Sequence, residues 1–204
     1  MSTEKREWIP DRSRPKSTTT APPIVVRQDG SDKSATGDKL EERQTKKIKL
    51  PTKGITVGTW NVRTLYATGK LGELCHEMSR YYWNVLGISE VRWLNFGEAT
   101  TDEGHKIWYS GEQDKHELGV AIMVHKDTTN SVISWQPVSS RIITIRMSCM
   151  PQNVTIVQVY APTNNATDEK SEDFYNELET VLTNVPKKDI LIVQGDWNAK
   201  MVVG

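Results

Sequence analysis

Apolar and polar positions alternate in short bursts along this chain, and the bursts begin only after residue 53. Ile55-Thr56-Val57-Gly58-Thr59-Trp60 alternates as a half-buried strand does and ends at Asn61. Lys70 to Tyr82 changes period: Leu71, Leu74, Cys75, Met78 and Tyr82 recur at helical spacing behind Gly69 and make one apolar face. Val85-Leu86-Gly87-Ile88-Ser89 is a continuous apolar run with Glu90 just past its end. A strand, a helix and a second strand apolar enough to be covered on both faces is the order of a βαβ unit.

The pattern then shortens. His105 to Ser110, Gly119 to His125, Ser131 to Trp135, Arg141 to Cys149 and Asn153 to Tyr160 read as strands separated by Gly, Asn, Asp and Pro, which predicts an antiparallel meander. Gly97 to Gly104 and Gly111 to Glu117 read as loops, and Met150-Pro151-Gln152-Asn153 as a hairpin turn. Thr167 is a candidate N-cap for a second helix, with Asp168 and Glu169 in the favourable first turn and Phe174, Leu178, Val181 and Leu182 along its apolar stripe. Asp189-Ile190-Leu191-Ile192-Val193 is a buried strand, and Gly195-Asp196-Trp197-Asn198-Ala199 lies beyond its carboxyl end.

Composition divides the chain at the same place. Residues 1–53 carry 13 Lys/Arg against 8 Asp/Glu, net +5, with scattered Pro and no periodicity, and read as a disordered basic arm. Its cluster Arg43-Gln44-Thr45-Lys46-Lys47-Ile48-Lys49 could touch a phosphate backbone or direct nuclear import, although a solvated charge run is the plainer account. Residues 54–204 carry 13 basic against 18 acidic residues, net −5, and a metal between carboxylates and phosphate would let such an acidic body act on a polyanion. Cys75 and Cys149 are too few and too distant for a disulfide framework and read as core thiols. The chain shows no run of about 18 apolar residues and no signal-peptide core, which predicts an intracellular protein, nuclear or cytoplasmic, without a membrane partner.

Three polar groups stand at one topological address, just past a strand: Asn61, Glu90 and Asp196-Trp197-Asn198. Ligands gather at the carboxyl ends of strands in α/β sheets, and hard divalent ions want oxygen donors of this kind. Taken singly, each could equally cap a turn. Thr59-Trp60-Asn61-Val62-Arg63, Ile88-Ser89-Glu90-Val91-Arg92, Val159-Tyr160-Ala161-Pro162-Thr163 and Gly195-Asp196-Trp197-Asn198-Ala199, in this order, resemble the motifs of the endonuclease/exonuclease/phosphatase superfamily. The resemblance runs from about residue 55 to 200 and is nearest to the apurinic-endonuclease-like domains of non-LTR retrotransposons and the craniofacial-development-protein-2-like group.

That resemblance implies a DNase I-like four-layer α/β/β/α sandwich over residues 54–204, with Mg²⁺ or Mn²⁺ as cofactor and DNA as the ancestral substrate. It implies Glu90 and Asn61 as metal-holding residues, Asp196 as the group that orients or deprotonates water, and Tyr160 and Asn198 as further catalytic groups at the phosphate. Tyr160 could otherwise be an ordinary strand-end residue. Arg63, Thr163, Asn164 and Trp197 are the candidate substrate-binding residues. Thr163 stands where abasic-site endonucleases carry Asn, and Asn164 is its candidate substitute. Trp93, Trp108, Trp135 and Trp197 could stack on bases but read better as core or rim residues, since no basic stripe is interleaved with them. The family's late Asp-His pair belongs downstream of the Asp196 motif, and none of His76, His105, His116 and His125 is placed to replace it. The expectation is therefore an incomplete sandwich lacking its C-terminal part, a metal-dependent phosphodiesterase that is weak or inactive. The alternatives are a non-catalytic nucleic-acid or protein interaction module and a phosphatase for small esters.

Overall fold

The computed structural model describes residues 55–198 and, by backbone alone, 48–49. The remainder of the predicted basic arm lies outside the described residues. The strands are β1 (Ile48–Lys49), β2 (Val57–Asn61), β3 (Val85–Ser89), β4 (Phe96–Thr100), β5 (Lys106–Ser110), β6 (Val120–Val124), β7 (Val132–Ser139), β8 (Ile142–Met147), β9 (Cys149–Met150), β10 (Val154–Tyr160) and β11 (Ile190–Asp196). Helix α1 spans Lys70–Met78 and α2 spans Asp168–Thr183.

Two sheets carry the fold, ordered β2-β3-β6-β5-β4 and β11-β10-β8-β7, beside the two-stranded β1-β9 pair. Each large sheet contains one parallel pair, β2-β3 or β10-β11, and its other pairs are antiparallel. The helix in each parallel crossover covers its own sheet. Leu74, Cys75 and Met78 of α1 pack on Leu86, Ile88, Ile107 and Met123, whereas Phe174 and Leu178 of α2 pack on Ile142, Val157 and Val159. Between the sheets, Val85, Trp108, Ile122 and Val124 meet Ile143, Ile145, Met147 and Ile156. Several of these side chains have no exposed surface, and each such burial stabilises by about 1.5–3 kcal/mol. The layer order is thus α/β/β/α, as the resemblance implies.

The antiparallel strands do not form one meander. The chain leaves the first sheet after β6 and begins the second at β7, a switch that two similar apolar runs do not announce. Helix α1 stops at Met78, four residues short of the expected end, because Ser79 caps it and Trp83 takes the next buried position while Tyr81 and Tyr82 face solvent. The loop expected at 97–104 is in part a strand, since β4 pairs there along β5. Thr167 does cap α2, its Oγ1 accepting a bond from the Lys170 amide at 3.4 Å. The expected turn at 150–153 joins β8 to β10 through a cis Met150–Pro151 peptide. Both thiols are buried and free, and burial raises the Cys75 thiol to about 11, so it stays protonated at neutral pH. Among the described residues no helix is long and apolar enough to cross a membrane.

One ion pair fastens the far end of the second sheet. Arg146 Nε and Nη2 donate to the Asp189 carboxylate at 2.7 and 3.0 Å, and Thr155 Oγ1 donates to it at 2.8 Å. The Asp189 side chain is 1% exposed. Hydrogen bonding from Arg146, with help from Thr155 and the guanidinium charge, holds its carboxyl below the usual value. Arg146→Met should therefore cost about 2–3 kcal/mol, measured by urea unfolding, since it leaves a buried carboxylate short of its partner. The pH dependence has a definite sign. A depressed folded pKa contributes stability above the ordinary carboxylate value, about 4, and that contribution is lost as pH falls through the folded value. The wild-type thermal midpoint should fall more steeply than that of Arg146→Met in this acid window.

Candidate active site

Period-two alternation builds the site. Along β2, Val57, Thr59 and Asn61 share one face, and on β3 the same face carries Val85, Gly87 and Ser89. On the opposing sheet, β10 presents Val154, Ile156, Gln158 and Tyr160, while β11 presents Ile192, Gln194 and Asp196. Register aligns these sets, with Thr59 beside Gly87, Asn61 beside Ser89, Gln158 beside Gln194 and Tyr160 beside Asp196. The inner faces are therefore apolar at the amino ends, polar in the middle, and charged or hydrogen-bonding at the carboxyl ends. The last layer is the site.

There the two sheets meet through one amide. Asn61 Nδ2 donates to Glu90 Oε1 at 2.7 Å and to Asp196 Oδ2 at 2.7 Å, joining carboxylates from opposite sheets. Asn61 Oδ1 in turn accepts the Arg63 backbone amide at 2.9 Å, which fixes the amide plane. Glu90 is 17% exposed at its side chain and takes a second charge-assisted bond from Arg92 Nη2 at 3.1 Å. Asp196 Oδ1 accepts the Asn198 amide at 3.0 Å, and Asn198 Nδ2 donates to the Ala161 carbonyl at 2.7 Å.

The backbone around these groups is unusual. Arg63, Glu90, Arg92 and Asn198 have φ of 60°, 61°, 59° and 47°, in the left-handed region that non-glycine residues seldom adopt. Each costs about 1–2 kcal/mol. Their concentration on the loops that carry the carboxylates is the distribution expected where local strain holds functional side chains in place.

Tyr160 is buried beside this cluster. Burial, then the Glu90 charge, with a smaller push from Asp196, raises its hydroxyl against the opposing effect of Arg141, so the phenol stays protonated. The Arg141 guanidinium lies over the Tyr160 ring at 5.2 Å, and Nη1 donates to the Tyr160 carbonyl at 3.0 Å. Nothing in the sequence singles out Arg141. It sits in the turn between β7 and β8, far from every motif, and only the sheet register brings it to Tyr160.

Of the candidate substrate residues, Arg63 is exposed beside Asn61, Trp197 is 40% exposed between Asp196 and Asn198, and Thr163 and Asn164 are exposed on the loop after β10. Trp93, Trp108 and Trp135 pack in or against the core, in keeping with the plainer reading. None of the four histidines joins the cluster; His105 and His125 stack on each other and on Trp83 at the other end of the first sheet.

Among the described residues no three His, Cys, Asp or Glu side chains converge as a metal-binding group. The oxygen donors are instead the two carboxylates, because Asn61, expected as a metal-holding residue, turns its NH₂ toward both and its Oδ1 toward the Arg63 amide. That set suits Mg²⁺ or Mn²⁺, which take one or two protein carboxylates and fill the remaining positions with water and phosphate oxygen.

No family model matches the chain. Over 145 residues, 71% of this chain, it is 41% identical to craniofacial development protein 2 of Bos taurus and equally to that of Tragulus javanicus. It spans only about a quarter of the length of these curated relatives, 24% and 25%. Among solved structures, the endonuclease domain of TRAS1, a telomere-specific non-LTR retrotransposon, superposes with a TM-score of 0.51 at 22% identity, covering 70% of this chain and 58% of that domain. The human Nocturnin catalytic domain with bound sulfate gives 0.53 at 17% identity, covering 72% and 64%. At these identities the structural likeness speaks for the fold.

Proposed function

We propose that the chain belongs to the endonuclease/exonuclease/phosphatase superfamily and is a divalent-metal phosphodiesterase directed at DNA. The observation that carries this reading is the Asn61 amide, which holds Glu90 and Asp196 together from opposite sheets at 2.7 Å each. Two carboxylates brought this close repel one another, and an arrangement that maintains them is one prepared for a cation.

Glu90 would hold Mg²⁺ or Mn²⁺ with Asp196 as the adjoining oxygen donor, while Asn61, whose NH₂ faces both, would keep the carboxylates in place. When bound, the ion would supply charge neutralisation at the phosphoryl oxygens and a more acidic water. Asp196, the carboxylate without a guanidinium partner, would orient the attacking water and take its proton. Tyr160, kept protonated, would donate from its phenol to a phosphate oxygen. Asn198, one side-chain N–H bonded to the Ala161 carbonyl, would offer the other to the phosphate. Arg63 and Trp197 stand exposed at the rim, a guanidinium for the backbone and an indole for a base, with Thr163 and Asn164 across the opening.

The test is a substrate panel with the full chain: supercoiled plasmid, an oligonucleotide duplex with one abasic position, and an aryl phosphate monoester. Each is incubated with Mg²⁺, with Mn²⁺ and with chelator. Nicked circles that form with metal and vanish with chelator are the expected result. Hydrolysis of the monoester alone would move the substrate class to small esters. Metal-independent retention of DNA without cleavage would leave the cluster a relic and the chain a binding module.

A further inference from the structure

Directly beneath the site lies a polar layer that the proposed chemistry does not use. Gln158 has no exposed surface, and its Nε2 donates to Ser89 Oγ at 3.1 Å and to Thr59 Oγ1 at 3.3 Å on the opposite sheet. Ser89 Oγ then donates to the Val159 carbonyl at 3.4 Å, crossing back. Gln194, beside Gln158 in register, points into the same space. A Cβ on Gly87 would lie 1.7 Å from Gln158 Oε1 and 2.4 Å from Gln194 Nε2, so the missing side chain of Gly87 is what makes room for both amides. Those two atoms, an acceptor and a donor, are sealed from solvent and have no hydrogen-bond partner among the described residues, so the bonds that cross the gap are those of Gln158 Nε2 to Ser89 and Thr59.

The placement of this layer gives it a consequence. Thr59, Ser89, Gln158 and Gln194 precede Asn61, Glu90, Tyr160 and Asp196 by one or two residues, so each strand that delivers a site residue first passes through the amide layer. Apolar packing between sheets is non-directional and tolerates small sliding motions. Amide hydrogen bonds do not. We propose that Gln158, seated over Gly87 and bonded across the gap to Ser89 and Thr59, is the clasp that sets the spacing and register of the two sheets and so the separation of Glu90 from Asp196. Gln158 is a positioning residue, since it does not reach the reacting groups. The inference draws on the proposed phosphodiesterase reading only for its metal readout.

The experiment uses the full chain carrying Gln158→Met, with Gln194→Met as the control. Methionine conserves length and volume, and the Gln194 Nε2 atom has no partner to lose. Two readouts are taken beside the thermal midpoint. The first is the NMR signal of the Asn61 side-chain NH₂, whose protons bridge carboxylates from the two sheets and therefore report their separation without any metal. The second is Mn²⁺ affinity by electron paramagnetic resonance. Gln158→Met should keep its midpoint, lose the distinct Asn61 NH₂ shift toward that of free amides, and bind Mn²⁺ about 10–100-fold more weakly, whereas Gln194→Met should match wild type in both readouts.

An unchanged Asn61 signal in folded Gln158→Met overturns the clasp. Should wild type bind no Mn²⁺, the phosphodiesterase reading falls, while the Asn61 signal still decides the clasp alone. If Gln158→Met does not fold, Thr59→Val with Ser89→Ala removes the two acceptors across the gap and carries the same readouts.

Discussion

Replacing Glu90 by Gln is expected to lower Mg²⁺-dependent DNA cleavage by about a thousandfold while leaving the protein folded. Glu90 is the most constrained acid of the cluster, turned back over the site by a φ of 61° and gripped by Asn61 and Arg92. Its charge balances two donors, one of them a guanidinium. The isosteric amide keeps one acceptor oxygen for one of those donors but turns its NH₂ against the other. It also withdraws the negative charge proposed to hold a divalent ion, which would supply several kcal/mol to phosphoryl transfer. A loss of about 4 kcal/mol corresponds to the thousandfold drop. Stability should change little, because Glu and Gln meet the same backbone penalty at this φ and the site is open on one side. Single-turnover nicking of supercoiled plasmid, with the thermal midpoint as control, makes the comparison. Cleavage within threefold of wild type would remove Glu90 from the metal site and leave its bond to Asn61 without a catalytic meaning.

Much of this site can be read in the chain because strand ends are punctuated. Asn61, Glu90 and Asp196 each follow an apolar run, and an acid or amide just past a run of Val, Ile and Leu is visible without coordinates. The inner layer is harder to see. Gln158 and Gln194 occupy strand positions where a polar residue ordinarily marks the solvent side, and only the facing sheet makes them interior. Gly87 resembles an ordinary strand glycine until the opposing amides are in place. β4 escapes notice for the opposite reason. Its residues alternate between exposed and half-buried along an edge, so Phe96-Gly97-Glu98-Ala99-Thr100 carries little apolar signal. Arg141 belongs to no motif, and its stacking on Tyr160 depends on the antiparallel register of β8 against β10. What is legible is local: period, cap and strand end. What is not depends on which sheet a strand joins and what lies across from it.

The same distinction gives Gly195 a large consequence for the site. It sits within β11, paired with Val159, at a φ of +147°. A Cβ there would lie 1.9 Å from the Val159 carbonyl oxygen and under 3 Å from its carbonyl carbon and amide nitrogen. All three are backbone atoms of a paired strand and cannot rotate aside. The backbone penalty for a non-glycine residue in such a conformation is about 1–3 kcal/mol, and forcing a methyl group into close-packed surroundings adds a similar amount. Gly195→Ala should therefore destabilise by about 4 kcal/mol or more, a large part of the margin of an ordinary domain. The damage falls on the next residue, since the Asp196 carbonyl accepts the Ala161 amide at 2.8 Å and its carboxylate completes the cluster. Gly69→Ala supplies the contrast: Gly69 also has positive φ, 87°, but nothing lies within 4 Å of the place its methyl group would take, so the change should cost only about 1 kcal/mol. Urea unfolding of the two variants separates steric conflict from backbone preference. Equal costs would mean that the close approach of β10 to β11 yields to a methyl group, and that Asp196 is held by its side-chain bonds rather than by the strand beneath it.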